Sequence, residues 1–478
     1  MVLNRRPQAR DTVIRQPRLR DVRPTVAETA PTRRPHRVFS SPYILLFSFV
    51  MLIVTGGLLL TTPVASSAGS FTPLDMAFFT AISAITVTGL TVVDTGAYWS
   101  AFGQAVIFFL MLVGGLGFMA VATFLLILIG QRSSLQERLV MRDTMGTDRM
   151  GGLRRVTISI LGVVLFIYIL GAAAIFWRIN GLAEMGVGES IWQSTFLAVS
   201  AFNNAGFSIL PESVGPGLTG LDAEWAFLGF MTILIILGGI GWTVLLDVFR
   251  HRRFARLNLD TKLVLVTSVG LWVLGAGTFF LAEYSETLAG FGTADKAVSS
   301  VFHSISGRTA GFAAVDFALV DDFTKVTFPA LMFIGGAAGS VAGGIKVATF
   351  AVIIAAVISS VRGRSEAEAF GREIAHFQVL RALTVVALGV GFLMVVLPTL
   401  TVTDPDIPFL DLFFDTVSAF GTNGTTTGIV PGLSLPGKCI FMITMFVGRL
   451  GPLTLALALA PREEASVYRF ARERVKIG

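Results

Sequence analysis

Four short segments of this chain point to backbone chemistry rather than side-chain chemistry. They read Val87-Thr88-Gly89, Asn204-Ala205-Gly206, Thr309-Ala310-Gly311 and Thr422-Asn423-Gly424. Each ends a short, mostly apolar stretch and each closes on one glycine. None sets an Asp or Glu beside that glycine, so a carboxylate ring for a divalent cation is absent. What remains is carbonyl oxygen. Thr88, Ala205, Ala310 and Asn423 are placed to turn a backbone C=O toward a monovalent cation, in the way carbonyl rings replace the hydration shell of potassium. Glycine permits the backbone angles that aim successive carbonyls along one line. The loop chemistry suits a monovalent cation, and no organic cofactor is expected.

A second element is linked to the first. It reads Gly114-Gly115-Leu116-Gly117, Gly238-Gly239-Ile240-Gly241, Gly335-Gly336-Ala337-Ala338-Gly339 and Gly448-Arg449-Leu450-Gly451, and it follows its partner by 24 to 32 residues. Two linked elements occurring four times form an internal repeat. Close helix packing by small residues accounts for the second element. It does not account for the first, whose glycines sit in polar loops.

The elements that position these loops follow from composition. Of 478 residues, 53% are hydrophobic and 14% charged, against about 25% charged in a soluble domain; mean hydropathy is +0.75. Seven or eight apolar stretches reach the length of about 20 residues that spans a bilayer. An alternating barrel pattern is missing. The single Cys excludes an intrachain disulfide and a Cys-cluster metal site, and four His are too few to suggest a His-based one. The net charge of +6 does not indicate nucleic acid, because the basic residues cluster at intervals: Arg132–Arg155, Arg250–Lys262, Arg362–Arg381 and Arg462–Lys476. Acids such as Asp75, Glu184, Asp316 and Asp404 fall between the clusters. Basic loops then face the cytosol, and every unit starts and ends on the same side. An inverted-repeat secondary transporter needs halves of opposite topology, and a polytopic enzyme needs polar constellations within spans; neither pattern is present.

The expected fold is an all-α polytopic membrane protein of four membrane–pore–membrane repeats: eight transmembrane helices and four re-entrant helices of 10–14 residues around one pore. The organisation is a basic cytosolic N-terminus (1–40) with ten Arg and no capacity to fold alone, repeats at 41–130, 131–250, 251–362 and 363–460, and a cytosolic tail at 461–478. A signal peptide over 43–68 is disfavoured by its long basic leader. In the third repeat the apolar run 327–360 is too long for one straight span. Its middle holds Gly335, Gly336, Gly339, Ser340, Gly343 and Gly344, which predicts a broken helix and a flexible intramembrane loop. Lys346 follows, needing water, an acid or carbonyl oxygens. Arg449 replaces the glycine that the other repeats carry, which places a cation on the inner wall either as an electrostatic constriction that meets the loop, where Lys should keep most of the restriction, or as a snorkelling or structural Arg.

These motifs, in this order and over about residues 42–460, resemble the Trk/Ktr/HKT superfamily of potassium transporters, most closely the Ktr-type B-subunit of the TrkH family. The resemblance implies an ion-translocating plasma-membrane subunit rather than an enzyme, with N- and C-termini cytosolic. Each loop would contribute one filter glycine, and the intramembrane loop would act as gate. Some members with Ser at the first glycine favour sodium, so Gly89 points to potassium; a sodium-permeable or Na+- or H+-coupled symporter is the alternative. The resemblance also implies a homodimer docked on a cytosolic ring of RCK-type nucleotide-binding subunits, which this chain does not itself contain.

Overall fold

The computed structural model describes residues 41–116, 153–180, 186–211, 217–222 and 224–451. The expectations for 1–40, for the 130/131 repeat junction and for the tail at 461–478 lie outside the described residues.

The described chain is predominantly helical. Its helices are α1 (Ser41–Leu60), α2 (Leu74–Thr86), α3 (Thr95–Tyr98), α4 (Ala101–Leu116), α5 (Leu153–Ile179), α6 (Val187–Phe202), α7 (Trp225–Ile240), α8 (Trp242–His251), α9 (Leu259–Glu283), α10 (Thr293–Thr309), α11 (Asp322–Phe333), α12 (Val347–Val361), α13 (His376–Thr403), α14 (Phe409–Gly421) and α15 (Leu435–Leu450). A small antiparallel hairpin, β1 (Ala367–Ala369) and β2 (Arg372–Ile374), lies between α12 and α13.

Among the described residues, three helical segments are long and apolar enough to cross a membrane: Ile160–Ile179, α9 and α13. At 1.5 Å per residue, 25 and 28 residues reach about 38 and 42 Å, more than the hydrocarbon core of about 30 Å. Their outward faces carry Phe166, Ile169, Val273, Leu281, Met394 and Val395, all exposed. Large apolar side chains in rows on long helices suit lipid better than water. The pair α7 and α8 is a fourth candidate span, bent by 96°.

The short helices occupy the interior. Phe79, Phe196, Phe302 and Phe414, one from each of α2, α6, α10 and α14, are fully buried. α2 and α14 have 13 residues, as the sequence leads one to expect, but α6 and α10 have 16 and 17. The extra turn is polar: α6 begins Val187-Gly188-Glu189-Ser190 and α10 begins Thr293-Ala294-Asp295-Lys296. Glu189 and Asp295 lie in first turns, where the helix dipole favours an anion, so these starts are helical although they do not read as apolar.

Each short helix packs beside the helices of its own stretch of chain: α2 on α1 and α4, α6 on α5 and α7, α10 on α9 and α11, α14 on α13 and α15. It also meets the helix that closes the preceding stretch. α4 touches α6, α7 touches α10, α11 touches α14, and α15 returns to α2. These contacts follow each other in a closed circle. At one join of that circle Lys438 at the start of α15 pairs with Asp75 at the start of α2, 2.8 Å away.

Candidate functional site: a ring of four glycine loops

Three of the four short helices end by the same device. Val87, Asn204 and Thr422 adopt left-handed backbone angles, with φ of 58°, 55° and 49°. The next N–H then reaches back: Thr88 to Ser83 O at 2.8 Å, Ala205 to Ser200 O at 2.8 Å, Asn423 to Ser418 O at 2.9 Å. This is the bond pattern of a Schellman closure, normally reserved for glycine. Branched side chains at Val87 and Thr422 make it strained, and strain of this kind concentrates at functional sites. α10 differs. It stays helical through Thr309, and Ala310 N–H donates to Ser306 O at 2.7 Å.

Two residues beyond each of these points lies the loop glycine. Gly89, Gly206, Gly311 and Gly424 have φ of 86°, 72°, 73° and 101°. Each lies against the carbonyl of another loop. A Cβ on Gly206 would sit 2.8 Å from Ala310 O, and one on Gly89, Gly311 or Gly424 would overlap Ala205 O, Asn423 O or Thr88 O outright. The order is first loop on second, second on third, third on fourth, and fourth back on first. The four carbonyls singled out from sequence are therefore brought together in one closed ring, and the bare α-carbons are what allow the loops to approach. Thr88, Ala205, Ala310 and Asn423 are themselves buried. The C-termini of α2, α6, α10 and α14 converge on this ring, adding the negative ends of four helix dipoles. Side chains couple adjacent loops as well. Asn423 Nδ2 donates to Gly307 O at 2.8 Å. With its amide turned to satisfy both groups, Asn204 donates to Ile235 O and accepts from Thr309 Oγ1 at 3.0 Å.

The second repeated element has a packing origin. A Cβ on Gly114, Gly238 or Gly448 would overlap Ile85 O, Phe202 O or Phe420 O, the carbonyl four residues before the loop glycine of the same stretch. The two elements recur together because one must be bare where the other's helix ends.

Beneath the ring, residues 334–346 separate α11 from α12 as non-helical backbone. This segment is strapped at several points. Gly335 N–H donates to Ile345 O at 2.8 Å and Val347 N–H to Gly336 O at 3.0 Å. Ala337 and Val341 donate to Gly239 O and Gly238 O at 3.0 and 3.3 Å. Gly339 and Gly344 have φ of 72° and 66°. Gly343 lies against the Thr422 side chain, with no room for a Cβ, and Gly336 lies close to Gly239 O and Ser340 Oγ. Lys346 Nζ donates to Ala342 O at 2.5 Å, a carbonyl oxygen being one of the environments its position demands. Arg449 bridges two elements: one Nη donates to Val341 O in the strapped segment and the other to Gly114 O at the end of α4. All eight residues named for this region from sequence thus fall in or against one segment.

Two features around this segment were not foreseen. α7 breaks from α8 at Gly241, whose φ is 86° and whose α-carbon faces Ala338 O and Ser340 N. The bend makes room for the strapped segment. Gly451, at the same place in its own repeat, has φ of 82°, so the shared position was the available signal. The other is Arg308, 3% exposed, with its guanidinium over Trp272 and one Nη 3.4 Å from Gly335 O. Among the described residues no group of three His, Cys, Asp or Glu side chains could hold a metal.

Comparison with known proteins agrees with this architecture. The chain is 38% identical over 442 residues to the Ktr system potassium uptake protein B of Bacillus subtilis, covering 90% of this chain and 95% of that protein. It is 33% identical to the potassium/sodium uptake protein NtpJ of Enterococcus hirae, covering 93% and 99%, and 35% identical to the Ktr system potassium uptake protein B of Vibrio alginolyticus, covering 91% and 95%. The crystal structure of the potassium transporter TrkH from Vibrio parahaemolyticus superposes with a TM-score of 0.68 over 90% of this chain and 86% of that one, at 20% identity, which speaks to the fold. These relatives are transporters, not enzymes. The family model TrkH, described as cation transport protein, matches residues 33–468, and the chain belongs to that family.

Proposed function

We propose that this chain is the ion-translocating subunit of a potassium uptake system in the plasma membrane, built as four membrane–pore–membrane repeats around one pore. The single observation that carries the reading is the closed ring, in which each loop glycine backs onto the carbonyl of Ala205, Ala310, Asn423 or Thr88. Four carbonyls around one axis, with four helix C-termini behind them and no carboxylate among the loop residues, favour a dehydrated monovalent cation over a divalent one. The residues Val87–Gly89, Asn204–Gly206, Thr309–Gly311 and Thr422–Gly424 form the filter. The names of the Ktr relatives support potassium as the cargo, and that of NtpJ keeps sodium as the second reading. Uptake of K+, Rb+ and Na+ by proteoliposomes of the pure chain separates the two: equal rates for Na+ and K+ would replace the potassium reading with the sodium one.

The segment 334–346 acts as the gate. It lies across the path below the ring, tied to α7 and to Arg449 rather than held by helical bonds of its own. Those ties can be released without unwinding a helix. Deletion of about Ala337–Ala342 is expected to raise K+ flux per folded molecule and reduce its dependence on any cytosolic regulator. Unchanged or lost flux in a monodisperse protein would count against a gate here.

The working assembly is a homodimer seated on an RCK-type nucleotide-binding ring at the cytosolic face, where Arg250, Arg252, Arg253 and Arg256 gather near the α8–α9 turn. Crosslinking in native membranes should trap a dimer, and regulator binding should weaken with added salt. A monomer in that experiment would remove this part of the reading.

A further inference from the structure

Two fully buried ionisable side chains stand on the short helices that carry the ring, His303 on α10 and Asp415 on α14. Both stand seven residues before the C-cap of their helix, which is Ala310 for His303 and Thr422 for Asp415. Both reach across to the strand that leaves the loop. His303 Nε2 accepts from the N–H of Ala314 at 3.0 Å. Asp415 Oδ1 accepts from the Thr427 N–H at 2.8 Å and from its hydroxyl at 3.2 Å, while Oδ2 accepts from the Thr426 hydroxyl at 2.5 Å. Ala314 and Thr427 are each three residues past the loop glycine, Gly311 and Gly424.

The bond to Ala314 fixes the imidazole tautomer. Nε2 is an acceptor, so the proton sits on Nδ1, which donates to Ser299 O at 2.7 Å. Phe279 stacks on the ring at 5.1 Å, and Phe302 and Phe317 flank it, which leaves the imidazole no room to turn. The other two loops have no ionisable strut at this position, although Ser200 Oγ ties the second to Phe207 O at 2.8 Å, as Ser306 Oγ ties the third to Phe312 O at 2.7 Å. The matching position on α2 is Thr80, whose buried hydroxyl has no hydrogen-bond partner, and on α6 it is Phe196.

We propose that His303 and Asp415 are positioning residues that pin the outgoing strands of the third and fourth loops and so fix the ring carbonyls of Ala310 and Asn423 at a spacing suited to K+. This rests on reading the ring as the filter. A pinned carbonyl cannot follow a smaller ion inward. A loop freed of its strut can, and then Na+ is coordinated too. Asp415 makes the stronger strut, since its carboxyl accepts three hydrogen bonds from the outgoing segment where His303 accepts one.

The test is competition of Na+ against Rb+ uptake in proteoliposomes of the full chain, read as a K+/Na+ preference ratio per folded molecule. Asp415→Leu and His303→Leu are expected to lower the ratio by about tenfold, the worth of one hydrogen bond to a buried group. Asp415→Asn keeps an acceptor for the Thr427 N–H and can donate its amide to the Thr426 hydroxyl, so it should hold most of the ratio, while Thr426→Val, which removes one of the three bonds to the carboxyl, should fall between. His303→Gln, which restores an acceptor, should recover most of the ratio, and Thr80→Val should leave it unaltered. A general packing defect would instead lower the yield of folded protein and leave the ratio alone. Should the Leu proteins fail to assemble, Thr426→Val decides, and a wild-type ratio in that variant then overturns the proposal. Gly424→Ser is the reference for the filter reading itself. An unchanged ratio there sinks that reading, whereas a collapsed ratio there beside unchanged ratios in the His303 and Asp415 variants sinks only the positioning role.

Discussion

Replacing Gly424 or Gly311 by Ser should abolish ion discrimination, and it should do so more severely than the same change at Gly206. All four loop glycines have positive φ, which costs an L-residue roughly 1–2 kcal/mol. The sites differ in the space beyond. A Cβ at Gly424 would overlap Thr88 O and one at Gly311 would overlap Asn423 O, whereas one at Gly206 meets Ala310 O at 2.8 Å. The first two variants must push a neighbouring carbonyl out of the ring, and the third must displace one by less. Gly89, against Ala205 O, should behave like the tight pair. The K+/Na+ ratio in a proteoliposome uptake assay is expected to fall by tenfold or more for Gly424→Ser and Gly311→Ser, equivalent to about 1.4 kcal/mol or more of lost preference. Growth of a potassium-uptake-deficient strain at low K+ gives the same ranking in cells. If Ser is tolerated at all four positions, the loops do not form the filter.

Arg449→Ala should increase K+ flux by about a hundredfold. A unit charge on the path repels a potassium ion about 6 Å away by about 3 kcal/mol at an effective dielectric of about 20, and that energy is worth about a hundredfold in rate. The structure adds a second contribution, because the guanidinium ties Val341 O to Gly114 O. Charge alone would let Arg449→Lys keep most of the restriction. A strap requires two donors held in a fixed fork, which an ammonium lacks. The strap therefore shifts the expectation for Lys toward the Ala phenotype, and the difference between the two variants measures how much of the barrier is charge and how much is the tie. Flux per folded molecule, with monodispersity checked in detergent, is the measurement. Equal or lower flux in the Ala protein removes Arg449 from the gate.

The glycines were legible in the sequence because each of them has one physical cause that acts locally. A bare α-carbon is needed where a carbonyl crosses, and that need recurs at Gly89 and Gly114, Gly206 and Gly238, Gly424 and Gly448. The break at 334–346 was legible for a similar reason, since five glycines in ten residues cannot be a stable span. The lengths of α6 and α10 were not, because their first turns are polar and a hydropathy scan begins one turn late. The bend at Gly241 was hidden by the apolar residues on both sides of it. His303 and Asp415 were also missed. Each interrupts a buried helix with an ionisable group, which was visible, but the strand N–H that each serves lies eleven or twelve residues away, and nothing in a linear pattern joins the two.

The bend at Gly241 has a consequence for how the path would open. In a continuous helix the carbonyls of Gly238 and Gly239 would accept from the next turn of the same helix. Because α7 stops at Ile240, those carbonyls are left for the N–H groups of Val341 and Ala337 instead. Releasing the segment strands four polar groups that only solvent can satisfy, and inside a bilayer that solvent must be recruited into the cavity. If this segment is the gate, opening is coupled to hydration and performs work against osmotic pressure. Large solutes that are excluded from the cavity, and that lower water activity outside it, would hold this protein shut without touching it.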